Sequence, residues 1–270
     1  MAAIDRQRVR HSFEQHAAEY DDFARVQKRV VERFLTFASE GGRAPGRLLD
    51  VGAGTGILLQ ALAARFPAAE MIGLDMAYHM GATARSRLAG IPRIQFVTAD
   101  AEQLPFPGGT FDRVVSTSTF QWLDNLDAAF SEAYRVLRPR GEFAFALFGE
   151  KTLLELRDSY RAACTLLERG GGDRPQRFSG SDDVIASLAK AGFESCETLA
   201  ELEIETHPDV PALLRSIRRI GAGNPAPVAA RGLSERRVMM EMMTIYRDTY
   251  GRGGYIPATY EVIYGKGIKM

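Results

Sequence analysis

The residues best suited to chemistry read DVGAGTG at 50–56, where Asp50 leads Gly52, Ala53, Gly54 and Gly56. An apolar run, RLL, precedes them and an apolar helical pattern, ILLQAL, follows. A buried strand running into a glycine-rich turn and then a helix lets backbone approach a ligand closely, and the first helical turn presents free N–H groups. That arrangement suits a nucleotide-like ligand. Dinucleotide sites usually read GxGxxG, whereas the spacing here is GxGxG, with Ile57 where the third glycine would fall, which argues against NAD. Asp50 points the same way, because a carboxylate suits an ammonium group and would repel a pyrophosphate.

Two more acidic positions follow in order. Asp75, with Met76 after it, ends a second apolar run, EMIGLD. It lies about 20 residues beyond the loop, where an acidic side chain can accept from both ribose hydroxyls. A third run, RIQFVTAD, ends in Asp100, Ala101 and Glu102, and Asp100 is placed to accept from an adenine amino group. Taken singly, a glycine-rich turn is often only a loop, and a strand-terminal Asp is often a helix N-cap. At successive strand ends they describe one site, and S-adenosylmethionine, which carries both an adenosine and an ammonium group, is its expected ligand.

The elements that must hold these residues are legible as an alternation. Short apolar runs (RLLDVG, EMIGLD, RIQFVTAD, FDRVVSTST, GEFAFALFG) are separated by helical patterns, including those at about 78–88 and 127–137. Such alternation means an α/β fold with a parallel sheet and right-handed crossovers. Before it, Phe13, Ala17, Tyr20, Phe23, Val30, Phe34 and Phe37 recur at mostly helical spacing, ending at the turn GGRAPG. Beyond Gly149 the rhythm is mostly helical, with a possible strand near 196–205 and a last one in YEVIYGKGIK; GGGD at 170–173 reads as a flexible link.

Composition narrows the partners. The 270 residues are 46% hydrophobic and 25% charged, which are ordinary globular values. Lys+Arg and Asp+Glu are both 34, so no overall field attracts nucleic acid or a membrane surface. Cys164 and Cys196 lack metal-binding or redox spacing, and the first residues lack the apolar run of a signal peptide. A cytoplasmic protein with reduced thiols and no metal is expected.

DVGAGTG, GLD, TADAEQLPF, FDRVVSTSTFQWL and EAYRVLRPRGEF together resemble the successive motifs of class I S-adenosylmethionine-dependent methyltransferases. One departure is Arg140, where that family usually has the second glycine of LxPGG. Outside this core, RVRHSFEQHAAEYDDFARVQ, FGEKTLLELR, LLRSIRRIGAGN and YIPATYEVIYGKGIK resemble the malonyl-acyl-carrier-protein O-methyltransferases of biotin synthesis. The resemblance implies a single domain over 1–270. Its parts would be lid helices at 1–40, a Rossmann-like cofactor core at 41–150, a mostly helical substrate cap with one strand at 151–256, and a final antiparallel strand at 257–270.

It also implies methyl transfer to the free carboxylate of a malonyl thioester carried on acyl carrier protein. That carboxylate is ionised at neutral pH, so no catalytic base is required. Arg218 and Arg219 are candidates to bind it as a bidentate fork, or form a solvated helix face instead. Gln121 and Trp122 follow the fourth strand, where the acceptor should approach, although a core role fits Trp122 as well. Tyr20 and Gln27 are assigned to a lid that closes over the cofactor, with plain helix packing as the alternative. Arg157, Arg161, Arg215, Arg218 and Arg219 could give an acidic carrier a local basic surface. Two other readings remain open: methylation of a free small carboxylic acid or quinone, and a cofactor-binding protein without turnover.

Overall fold

Neighbouring residues of the first strand serve opposite faces: Leu48 joins one apolar core and Leu49 the other. This period-two partition makes the sheet the middle layer of three. The computed structural model describes residues 4–38, 44–123, 125–168, 178–222 and 233–270, with side chains from 235 onward in the last segment. The GGGD link, part of GGRAPG and the last two residues of IRRIGAGN lie outside the described residues.

The strands are β1 (Arg47–Val51), β2 (Glu70–Asp75), β3 (Ile94–Thr98), β4 (Phe111–Thr117), β5 (Leu137–Phe148), β6 (Glu194–His207) and β7 (Ile256–Ile268), in the order β3-β2-β1-β4-β5-β7-β6. β1 to β5 pair in parallel, and β7 runs antiparallel between β5 and β6. The chain thus leaves β1 toward β2 on one side and returns to β4 on the other. In an open α/β sheet, ligands bind at the carboxyl ends of strands flanking such a switch point. The glycine loop lies there.

The helices before the sheet are α1 (Arg6–His16), α2 (Tyr20–Phe23) and α3 (Arg25–Phe37). Between strands come α4 (Ile57–Arg65), α5 (Tyr78–Arg87) and α6 (Leu126–Val136), and then α7 (Leu154–Leu166), α8 (Ser181–Ala191), α9 (Val210–Arg219) and α10 (Leu233–Tyr250). One core joins α3, α4, α7, α9 and α10 to the sheet, and the other joins α6 and α8. Within 151–256, therefore, α7, α9 and α10 group together, while α8 packs on α6 and β6 as an ordinary crossover helix. The strand read near 196–205 is longer than its pattern suggested. Its glutamates alternate along an edge, and Glu201 and Glu203 reach Arg33 and Arg29 of α3, each at 2.7 Å.

Two local features bear on the site. The 3-10 turn Phe120–Trp122 is anchored by Phe120, whose ring meets Phe130, Phe143 and Phe145 edge-on at 5.4–5.8 Å between centroids. Arg140 has φ 64°, the left-handed conformation that glycine favours, and its N–H donates to the Lys269 carbonyl at 2.6 Å. The family's usual glycine there has a conformational reason.

Candidate active site

The loop after β1 is held by β2. The N–H groups of Gly52 and Ala53 both donate to the Leu74 carbonyl, at 2.7 and 2.9 Å, and the Gly56 N–H donates to the Ala53 carbonyl. Gly52 has φ 73°, and a Cβ there would fall 2.0 Å from Thr119 Oγ1, so neither the backbone nor the space admits a side chain. Gly54 differs: with φ 53°, its position faces open space on the wall of a cavity.

That cavity, of about 90 Å3, is lined by Gly52, Gly54, Asp75, Met76, Ala101 and Tyr20, together with Arg6, Phe13, Ser118 and Trp122. Asp75 Oδ2 accepts from the Gly54 N–H at 2.9 Å and Oδ1 from the Ala77 N–H at 2.8 Å. Each oxygen keeps a lone pair for a ligand hydroxyl. Burial pushes the Asp75 carboxyl up to about 6, although these backbone donors favour its charged form. Asp50, read from the sequence as a cofactor residue, lines neither cavity; it is 1% exposed, and neither of its oxygens has a hydrogen-bond partner. Burial first, and the neighbouring Asp75 second, raise it to about 8. A buried carboxylate without donors is costly unless a cation approaches. The unpartnered Asp50, the open wall at Gly54 and the two-armed Asp75 fit a ligand with an ammonium group and a ribose. Ala53 and Gly56 shape the turn rather than line the cavity.

A second cavity, of about 60 Å3, shares Phe13, Tyr20, Ser118 and Trp122 with the first. Its remaining walls include Gln27, Gln121, Phe148, Thr152, Ile217, Ile220 and Tyr260, and none of its described lining residues is charged. Trp122 packs edge-on against Phe13 at 5.6 Å. Gln121 is buried and its Nε2 donates to the Ser118 carbonyl at 2.7 Å, so it braces the turn as well as walling the cavity. Gln27, expected on the cofactor side, lines only this second cavity. Tyr20 lies at the junction, and burial together with Asp21 and Asp75 raises its phenol well above the ordinary range.

Three contacts fasten the amino-terminal helices over both cavities. Arg6 pairs with Asp100 and, at 2.7 Å, with Glu102. Asp21 pairs with Arg87 and accepts from Thr55 Oγ1 at 2.7 Å, directly on the glycine loop. Glu19 pairs with Arg219 at 2.5 Å, and the Arg219 guanidinium also stacks over Phe23 at 5.1 Å. Two expectations change as a result. Asp100 and Glu102 hold α1 through Arg6 in this structure, a partner 94 residues from Asp100 that sequence spacing does not reveal. Arg218 and Arg219 do not line the acceptor cavity: α9 turns Ile217 and Ile220 toward it and leaves both arginines exposed. The apolar spacing of Leu213, Ile217 and Ile220 carried that signal. Sequence reasoning also passed over Arg6, Phe13 and Ser118.

Among the described residues no group of three His, Cys, Asp or Glu could hold a metal ion, and no helix is long and apolar enough to cross a membrane. Residues 49–145 match the family model described as a methyltransferase domain. The YcgJ protein of Bacillus subtilis shares the fold, with a TM-score of 0.61 at 21% identity over 88% of this chain and 98% of that one. The malonyl-[acyl-carrier protein] O-methyltransferase of Methylovorus sp. is 38% identical, covering 97% of this chain and 88% of the relative. The enzyme of the same name from Geobacter sulfurreducens is 55% identical, covering 98% of this chain and 99% of the relative. Identity of that order, over nearly the whole length of both chains, means that the chain belongs to the malonyl-[acyl-carrier protein] O-methyltransferase family of S-adenosylmethionine-dependent methyltransferases.

Proposed function

We propose that the chain methylates the free carboxylate of a malonyl thioester borne on acyl carrier protein, in the synthesis of a biotin precursor. The observation that carries this reading is the pair of cavities with a common wall, one built for an adenosyl ligand and the other uncharged. S-adenosylmethionine, held by Gly52, Gly54, Asp75 and Met76 with Asp50 behind them, supplies an electrophilic methyl group. The shared wall of Phe13, Tyr20, Ser118 and Trp122 would let an acceptor meet that methyl without crossing solvent.

The uncharged second cavity restricts the acceptor. A quinone ring carbon or a phenol needs a base to remove a proton, and none of the described lining residues there is His, Asp, Glu or Lys. A carboxylate brings its own negative charge at neutral pH. Charge is annihilated as the methyl moves to it, so walls of Phe148, Ile217, Ile220 and Trp122 that exclude water favour reaction. A fully paired Arg would orient the carboxylate but also blunt its nucleophilicity, and α9 keeps its arginines outside.

Those exposed arginines suit the carrier instead. Arg215 and Arg218 stand exposed on the helix whose Ile217 and Ile220 wall the acceptor cavity. An acidic protein docked on them would bring its acyl arm to the cavity mouth. Arg161 is exposed on α7, while Arg157 is half-buried against Phe178, and Arg219 is engaged with Glu19. The test supplies labelled S-adenosylmethionine with malonyl-loaded carrier, malonyl-CoA and free di- and tricarboxylic acids in parallel. The expected result is highest kcat/KM for malonyl-loaded carrier, falling with added salt. Transfer confined to a free acid or a quinone would overturn the reading.

A further inference from the structure

The turn after β4 contains a residue whose geometry the cofactor site does not explain. Ser118 has φ 56°, a left-handed conformation that costs a side-chain-bearing residue energy and concentrates where structure is held for function. Its backbone is fixed on both sides. The Ser118 N–H donates to the Ala146 carbonyl of β5 at 2.8 Å, and its carbonyl accepts from Gln121 Nε2 at 2.7 Å. Its hydroxyl is buried and has no hydrogen-bond partner. The adjacent Thr119 hydroxyl is spent on the Gly52 and Thr117 carbonyls, at 3.3 and 3.1 Å, and the Thr152 hydroxyl on the Glu261 carbonyl. Ser118 lines both cavities, at the wall where donor and acceptor would meet.

A buried hydroxyl without a partner is a cost the fold carries unless a ligand relieves it. We propose that Ser118 is the acceptor-binding residue at the junction: its hydroxyl donates to the carboxylate oxygen that does not attack, and so turns the other oxygen toward the methyl donor. The inference rests on the acceptor being a carboxylate, as proposed above. A neutral donor is the suitable device, because it fixes orientation and leaves the charge on the nucleophile. No proton is transferred; the hydroxyl keeps its hydrogen throughout. The backbone strain then has a purpose, since an ordinary β-region residue at the same place would aim its side chain elsewhere.

The clean test is Ser118→Gly, because glycine accepts the left-handed backbone and removes only the hydroxymethyl group. Ser118→Ala keeps Cβ and the strain. Both variants are assayed with malonyl-loaded acyl carrier protein, and S-adenosylhomocysteine affinity is read by calorimetry. The expected result is a loss of about ten- to a hundredfold in kcat/KM in both, the range of a hydrogen bond to a charged group. S-adenosylhomocysteine affinity should stay within about twofold, and acetyl-loaded carrier, which lacks the carboxylate, should inhibit parent and variants equally. An unchanged kcat/KM in Ser118→Gly overturns the proposal, as does a parallel fall in S-adenosylhomocysteine affinity or in acetyl-carrier inhibition. If the parent turns over a different carboxylic acid and not malonyl-loaded carrier, the substrate reading fails. Ser118 is then judged by the same two variants on that acid.

Discussion

Replacing Asp50 by Asn should stabilise the ligand-free protein and weaken it as an enzyme, with an effect of pH that can be worked out beforehand. Asp50 is 1% exposed and unpartnered, and its carboxyl lies near 8, against an ordinary value of 3.8. In the unfolded chain it ionises at its ordinary value. Between about pH 4 and 8 the folded form therefore holds a proton that the unfolded form has lost, and stability falls with rising pH at about 1.4 kcal/mol per pH unit. Above pH 8 the loss levels off at roughly 6 kcal/mol as an upper bound. Asp75 shares this behaviour but lies near 6, so only about 0.4 kcal/mol of its contribution remains above pH 6 and the interval from pH 6 to 8 reports mainly on Asp50. Over that interval the parent should lose about 2 kcal/mol that Asp50→Asn keeps, because the slope falls off as Asp50 reaches half ionisation at pH 8. In a chain of this size that is roughly 4–8 °C in melting temperature. Scanning calorimetry of both proteins at pH 6, 7 and 8 without ligand is the assay. The unpaired Asn amide carries its own constant cost, so the slope with pH is the diagnostic. Saturating S-adenosylmethionine should reverse the order, because a cation restores the value of the charge. Parallel melting curves from pH 6 to 8 would refute the electrostatic account of Asp50.

Two other substitutions test separate parts of the structure. Arg140→Gly replaces a residue held at φ 64° by the one suited to it, and should raise stability by about 0.5–1 kcal/mol after the greater freedom of glycine in the unfolded chain is counted. A melting temperature about 1–3 °C higher with unchanged kcat is the expected readout. Gly54→Val should push a branched side chain into the cofactor cavity, and Asp75→Ala should remove both ribose acceptors along with the tie to the Gly54 N–H. Each should abolish tight S-adenosylhomocysteine binding in calorimetry while circular dichroism stays that of the parent.

What could be read from the sequence depends on how local the signal is. The strand–loop–helix at DVGAGTG and the strand-terminal Asp75 are consecutive in the chain, so their geometry follows from a few backbone conformations. That β1 to β5 run parallel follows from the alternation of strand and helix. The apolar run YEVIYGKGIK announced β7 but only the resemblance gave its antiparallel direction, and the extent of β6 was blurred because an edge strand alternates Glu with apolar residues. Side-chain destinations were least legible. SIRRIG was read for its charges, although the apolar stripe of α9 decides that Ile217 and Ile220 face inward. Asp100 was read from its strand end alone, and only the fold brings Arg6 to it. Ser118 lay inside a quoted motif, yet nothing in STSTF distinguishes the hydroxyl that is both buried and unpaired.

The lid contacts bear on how such a site can turn over. Cavities of about 90 and 60 Å3 are small beside the roughly 300 Å3 or more of ordinary ligand pockets, which makes the contacts that hold the helices over them relevant to ligand entry. The four ion pairs that tie the amino-terminal helices over the cavities are all partly exposed: Arg6 with Asp100 and with Glu102, Asp21 with Arg87, and Glu19 with Arg219. Pairs of that kind are worth about 0–1 kcal/mol each. Breaking all four would therefore cost only a few kcal/mol. The pairs also tie these helices to three separate parties: the third strand end, the glycine loop and the cap helix α9. Were these helices to open, both cavities would be uncovered together, because Phe13 and Tyr20 line both. A reaction that destroys charge gains from dry walls, and here the elements that dry the donor side are the same ones that dry the acceptor side.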